Sequence, residues 1–141
     1  MSEAEQRWMR IAMAIVDLGF VVYWVVSATH LVPPEWLYAD ADDPLVVAWN
    51  WSFLPLDLAV SATGFAALAA VRRAPDVART LTVVSLAFTS ASGLNAIAFW
   101  AIRGDFDWAW WAPNLALLVG PWWPLGRMIY GSSRGRTPVT G

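Results

Sequence analysis

Of this chain's 141 residues, 58% are hydrophobic and only 14% charged, with 11 Trp, one His and neither Lys nor Cys. An ordinary globular domain is about 45–50% apolar and about 25% charged, so the composition excludes most soluble folds and makes the bilayer the expected solvent. A net charge of -2 gives no reason to expect nucleic acid. The absence of Cys removes disulfides and thiolate chemistry, and a lone His argues against a protein-built metal site, so no metal and no cofactor is expected.

A transmembrane helix needs ~20 apolar residues, and runs of that kind stand at about 9–32, 45–71, 77–102 and 108–130. They predict an all-α fold: a four-transmembrane-helix bundle filling 1–130 as one membrane domain. Pro33 and Pro34 with Glu35, Asp40, Asp42, Asp43 and Pro44 form the first loop. Arg72 to Asp76 form the second and Arg103 to Asp107 the third. The Gly/Ser/Arg-rich tail, 131–141, reads as disordered. The first run is longer than the ~7–15 residues of a leader's apolar region and follows Glu3 and Glu5, which favours a span over a cleaved signal.

Positive residues accumulate on the cytoplasmic side of membrane proteins. With the N-terminus inside, Arg7, Arg10, Arg72, Arg73, Arg79, Arg127, Arg134 and Arg136 all fall inside and only Arg103 outside. The expected place is therefore a bacterial cytoplasmic membrane, multi-pass, with both termini cytoplasmic.

An Asp at the centre of a span costs about 2.5–3.5 kcal/mol and by default marks function. Asp17 lies about eight residues in from the inner end of the first run, and Asp57 about twelve from the outer end of the second, near the midplane. Arg10, Arg79 and Arg127 stand only at the ends of their runs, so neither acid has a basic partner close in sequence. The two natural states of each acid are a protonated carboxyl and a carboxylate awaiting a cationic ligand.

Spacings of three and four residues align Asn50, Phe53, Asp57, Ser61 and Gly64 on the second run, and Ser85, Thr89, Ser92 and Asn95 on the third. The first run contributes Asp17, Phe20 or Val21, Trp24 and Ala28; the fourth contributes Trp110 or Trp111, Asn114 and Leu118. A lipid-exposed amide lacks partners, so Asn50, Asn95 and Asn114 are expected to turn inward with Asp57. Ser85, Thr89 and Ser92 read as helix-to-helix contacts contributing ~0.6 kcal/mol each. Pro55 and Pro113 each remove a backbone donor, which either opens a helix toward a cavity or only kinks it.

Trp8, Trp36, Trp108, Trp122 and Trp123 suit an interfacial belt. Trp24, Trp49, Trp51, Trp100, Trp110 and Trp111 are left near the outer polar cluster, either as a crowded belt or as faces that attract a cation by about 0.5–2 kcal/mol per ring. His30, at a helix end, suits a capping or solvated role. Trp49-Asn50-Trp51 with Pro55 and Asp57 is echoed by Trp108-Ala109-Trp110-Trp111 with Pro113 and Asn114. Two related helical hairpins and simple interfacial placement both account for the echo.

The stretches DLGFVVYW, WNWSFLPLDL, IAFWAIRGDFD and WWAPN resemble the YvaD-like proteins, small bacterial four-helix membrane proteins of unknown function. The likeness runs from about Met9 to Tyr130 and implies topology without an activity. More remotely, an acidic Pro/Trp first loop with PPEW and DPL, an acid on the second helix and an aromatic-Ala-Pro stretch on the fourth are similar to the EXPERA proteins, the emopamil-binding sterol isomerases and sigma-two receptor. That likeness implies an intramembrane cavity for sterols or hydrophobic amines. Asp57 falls on that family's helix 2 Glu, and Trp111, Pro113 and Asn114 on its helix 4 stretch. The chain departs from it where the family has an acid near the end of helix 1, offering Ser27 and His30.

Three functions are consistent with these residues. The first is an intramembrane pocket for a lipid or other hydrophobic small molecule, such as a cationic, terpenoid or sterol-like one, working as an acid/base isomerase or cyclase. Asp57 and Asp17 are its candidate catalytic acids, and Asn50, Trp24, Trp49, Asn95, Trp100, Trp111 and Asn114 its binding groups. The second is a proton-coupled exporter of lipophilic cations acting as a homodimer, with Asp17 as the membrane carboxylate. The third is an accessory membrane subunit.

Overall fold

The computed structural model describes residues 1–133. Its elements are α1 (Glu3–Thr29), a 3-10 turn (Pro34–Trp36), α2 (Pro44–Ser52), α3 (Leu54–Ala70), α4 (Pro75–Arg103), α5 (Trp108–Val119) and α6 (Trp122–Ser133). Local chemistry sets several of these boundaries. A capping box starts α1: the Glu5 backbone N–H donates to Ser2 Oγ, and the Ser2 N–H donates to the Glu5 carboxylate. His30 ends the same helix in the left-handed region at φ 51°, its N–H bonding Val26 O, which is the capping role expected for it. Asp43 and Asp107 cap α2 and α5 by accepting from the backbone N–H groups of Leu45 and Ala109.

Among the described residues, three stretches are long and apolar enough to cross a membrane: Glu3–Thr29, Pro44–Ala70 and Pro75–Arg103. The second is α2 continued by α3, jointed at Phe53. Pro55 accounts for the joint, because it lacks an N–H and its ring crowds the carbonyl four residues earlier. The predicted fourth run, 108–130, is instead two helices of 12 residues each, about 18 Å apiece against an apolar core of about 30 Å. Pro121 supplies the reason for this break as well. Gly131 to Ser133 belong to α6 rather than to the tail; the remaining expectation, for 134–141, lies outside the described residues.

The long helices pack in chain order. α1 lies on α3, α3 on α4, and α4 on α5, so α3 and α4 form the centre. Gly93 permits the last of these contacts: a Cβ there would stand 2.6 Å from both the Asn114 carbonyl oxygen and the Leu118 nitrogen.

Polarity is inverted relative to a soluble core. Asp17, Ser27, Asn50, Asp57, Ser61, Thr82, Ser85, Thr89 and Ser92 are buried, while Ile15, Leu18, Val22, Val25, Phe65 and Leu94 are exposed. Polar groups paired inside and aliphatic groups outside is the arrangement an apolar solvent selects. The five Trp assigned to the belt, Trp8, Trp36, Trp108, Trp122 and Trp123, are 53–76% exposed, whereas Trp24 and Trp100 are 5% and 4% exposed. Among the described residues, Arg103 stands apart from most other arginines. Arg10, Arg79 and Arg127 line a cavity at one end, and Arg72 and Arg73 line an adjoining one. Arg103 pairs with Asp40 at 2.5 Å and with Asp43 at 3.8 Å.

Candidate functional site

The buried polar groups form a seam where α3 meets α1 on one side and α4 on the other. Its best-connected member is Asp57, 4% exposed in the first turn of α3. Trp24 of α1 donates its indole N–H to Asp57 Oδ2 at 3.0 Å, and Ser92 of α4 donates its hydroxyl to Oδ1 at 2.8 Å. A carboxylate only accepts, so two donors from two helices tie three helices at one point.

Seven residues along α3, about 10 Å by helical rise, Gly64 makes room for Asp17 of α1. A Cβ at position 64 would overlap the Asp17 carboxylate. Asp17 is 1% exposed, and among the described residues its Oδ2 has no hydrogen-bond partner. Between the two acids, Ser61 Oγ donates to the Asp17 backbone carbonyl at 2.9 Å, and Ser85 Oγ donates to Val60 O at 3.3 Å. An apolar cluster of Met13, Ala67 and Leu86 lies at the seam's other end, one helical turn from Asp17 and Gly64. On the far side of Asp57, Tyr23 donates its hydroxyl to Asn50 Oδ1 at 2.7 Å, while Asn50 Nδ2 is buried without a partner.

The aromatic residues pack on one another around this end of the seam. Trp49 stacks on Phe99 with centroids 4.0 Å apart and meets Trp100 edge-on at 5.6 Å. The Arg103 guanidinium lies 5.7 Å from the Phe99 centroid and 5.5 Å from that of Trp100, so the cation over these rings is the chain's own. Tyr38, from the first loop, is buried against Val46 and Trp100. Burial, then the Glu35 charge, raises its phenol above the usual value.

Asp57, Asp17, Trp24 and Asn50 thus join the seam as the sequence suggested. Asn95 does not: it is exposed on α4. Counting from Ser85 at about 100° per residue, Ala96 falls about 20° from the buried line and Asn95 about 80°, so the stripe passes through Ala96. On α1 it ends on Ser27 rather than Ala28 for a similar reason. Asn114 Nδ2 donates to Trp110 O of its own helix, and the Trp111 indole donates to Asp105 O; neither bonds Asp57. Sequence spacing missed Tyr23, which shares a buried face with Ser27 through the hydrogen bond from Ser27 Oγ to Tyr23 O. Among the described residues no group of three or more His, Asp or Glu is arranged to hold a metal.

Comparison with known proteins extends the picture to relatives. The family described as "Family of unknown function (DUF5360)" matches residues 9–135. The "Uncharacterized protein YvaD" of Bacillus subtilis (strain 168) is 38% identical over 115 residues, covering 82% of this chain and 86% of that protein. No solved structure matches. The likeness to EXPERA proteins rests on the sequence stretches alone. A match over nearly the whole chain, together with a relative this similar, establishes that the chain belongs to the DUF5360 family.

Proposed function

We propose that this is a four-span protein of the bacterial cytoplasmic membrane, with both ends inside, whose seam binds a proton at Asp17 and exchanges it for a lipophilic cation. The observation that carries this reading is the Asp17 carboxyl, 1% exposed with one oxygen lacking any donor. A charge buried in that way must be neutralised by a proton or by a cation. The nearest Arg on α1, Arg10, is seven residues away, about 10 Å along the axis. Asp57 has the complementary role of a positioning residue, its oxygens engaged by Trp24 and Ser92.

Two further features support the membrane half of the proposal. α5 and α6 follow one another across the Gly120–Pro121 break and together are long enough for a fourth crossing at ~1.5 Å per residue. An even number of spans then agrees with the arginine asymmetry. The alternative, a hydrophobic ligand protonated at Asp57, has less support. Its acid is already held by two donors, and the Arg103 guanidinium already lies over the Trp100 ring.

The test is proton release from the purified chain in weakly buffered detergent on addition of tetraphenylphosphonium. The expected result is stoichiometric release that Asp17→Asn abolishes and Asp57→Asn retains. No release from the wild-type chain overturns the proposal, and loss in Asp57→Asn alone moves the chemistry to Asp57.

A further inference from the structure

At the end of the molecule where α1 begins, a cavity of about 460 Å³ lies between α1, the α3–α4 turn and α6. Its polar wall carries Arg10, Arg79 and Arg127 against a single acid, Asp76. The arginines are held in place from three helices. Arg79 Nη2 donates to the Met128 carbonyl of α6 at 2.6 Å, Arg10 donates to Gln6 at 3.3 Å, and Arg127 pairs with Glu5 of α1 at 3.3 Å. A guanidinium has five N–H donors, so the one bond from Arg10 to Gln6 does not use up the donors of a residue that lines the cavity.

α4 starts at the same place. Pro75 and Asp76 line the cavity, and the N-cap residue Ala74 supplies no side-chain cap, so the helix start adds partial positive charge at the wall. The other wall is apolar, formed by Met9, Leu68 and Val71. The adjoining cavity shares Arg10, Leu68 and Val71 and adds Arg72 and Arg73. Five arginines therefore border a recess that is apolar on its helical side. Arginine in forked geometry suits phosphate, and the greasy wall suits an acyl chain.

We infer that this recess binds the phosphate headgroup of an anionic phospholipid, with the lipid's acyl chain lying along Met9, Leu68 and Val71. The site is separate from the Asp17 chemistry, from which the Met13–Ala67–Leu86 cluster divides it. Basic pockets between membrane helices recognise lipid headgroups in this way, and each arginine near the surface contributes roughly fivefold in affinity.

The experiment measures binding of a phosphatidylglycerol and a phosphatidylcholine of identical acyl chains to the full chain in detergent, by native mass spectrometry. Phosphatidylglycerol should bind at least about fivefold more tightly, the preference shrinking in high salt. Arg10→Gln and Arg127→Gln should each lower it about fivefold, while Arg103→Gln, at the other end, should leave it unchanged. Thermal melts of each variant report whether it is folded, and the wild-type lipid comparison stands without any variant. Equal binding of the two lipids overturns the inference, as does a preference untouched by both Arg10→Gln and Arg127→Gln. Displacement of the lipid by inorganic phosphate at matched concentration also overturns it, because the site would then be one for a free anion.

Discussion

Replacing Ser92 by Ala should detach α4 from the Asp57 node. The bond removed is 2.8 Å long and ends on a carboxylate that is 4% exposed. Hydrogen bonds to charged groups contribute about 1.5–3 kcal/mol in soluble proteins, whereas bonds between membrane helices average about 0.6 and reach about 1.7 kcal/mol. The carboxylate oxygen left behind has no water to turn to, so the upper part of the membrane range applies, and the expected cost is about 1–2 kcal/mol. Trp24→Phe removes the other donor and should cost at least as much, since it also disturbs the indole's contacts with Tyr23 and Trp51. Asp57→Asn behaves differently. Its amide oxygen can accept from the Trp24 indole, which only donates, and its NH2 can donate to the Ser92 hydroxyl, which can also accept. Both partners stay satisfied, and the expected cost is below about 1 kcal/mol. Reversible unfolding in mixed micelles, followed by near-UV circular dichroism of the Trp residues, gives these values. The reasoning is refuted if Ser92→Ala and Trp24→Phe both fall within about 0.3 kcal/mol of wild type, or if Asp57→Asn costs more than either.

Other substitutions probe the rest of the packing. Gly64→Ala places a Cβ on the Asp17 carboxylate and should destabilise by about 1–3 kcal/mol; adding Asp17→Ala should recover part of that loss, and the same unfolding assay should show non-additivity. Gly93→Ala should separate α4 from α5, because the opposing atoms are backbone and cannot swing away, whereas Gly19→Ala, which meets nothing within 4 Å, should be neutral or stabilise by up to about 1 kcal/mol. A melt in which Gly93→Ala is as stable as Gly19→Ala would contradict that packing. Tyr23→Phe removes the bond to Asn50, whose Nδ2 already lacks a partner, and should cost about 1 kcal/mol. Unchanged stability there would mean that Asn50 finds another partner.

Much of the seam was legible because burial on a helix repeats every three or four residues. Asp57, Ser61, Gly64, Ser85, Thr89 and Ser92 were all read onto facing stripes, and all are buried. Asn95 falls off the stripe because a strict three-residue step drifts off a helical face, and an amide's lack of partners in lipid does not override that geometry. The joint at Phe53 is the kink that Pro55 allows, but the break at Gly120–Pro121 escapes the sequence for another reason. Hydropathy sums along a run without registering that one proline can divide it, so 108–130 looked like a single span. Depth along the runs separates the exposed Trp8, Trp36, Trp108, Trp122 and Trp123 from the buried Trp24 and Trp100, although Trp51 is exposed, and it says nothing of their partners. That the Trp24 indole meets Asp57, and that Arg103 covers the rings of Phe99 and Trp100, depends on how α1, α3 and α4 are set side by side. Single-helix periodicity carries no such information. The unpartnered oxygen of Asp17 was invisible for the same reason, since only the fit against Gly64 reveals it.

Infrared difference spectroscopy of the carboxyl C=O stretch, recorded as tetraphenylphosphonium is added to the chain in lipid, tests the exchange at Asp17 most directly. Exchange at Asp17 should remove a protonated-carboxyl band, a change absent from Asp17→Asn and present in Asp57→Asn. A spectrum in which no such band changes, or in which the changing band survives Asp17→Asn, would contradict it.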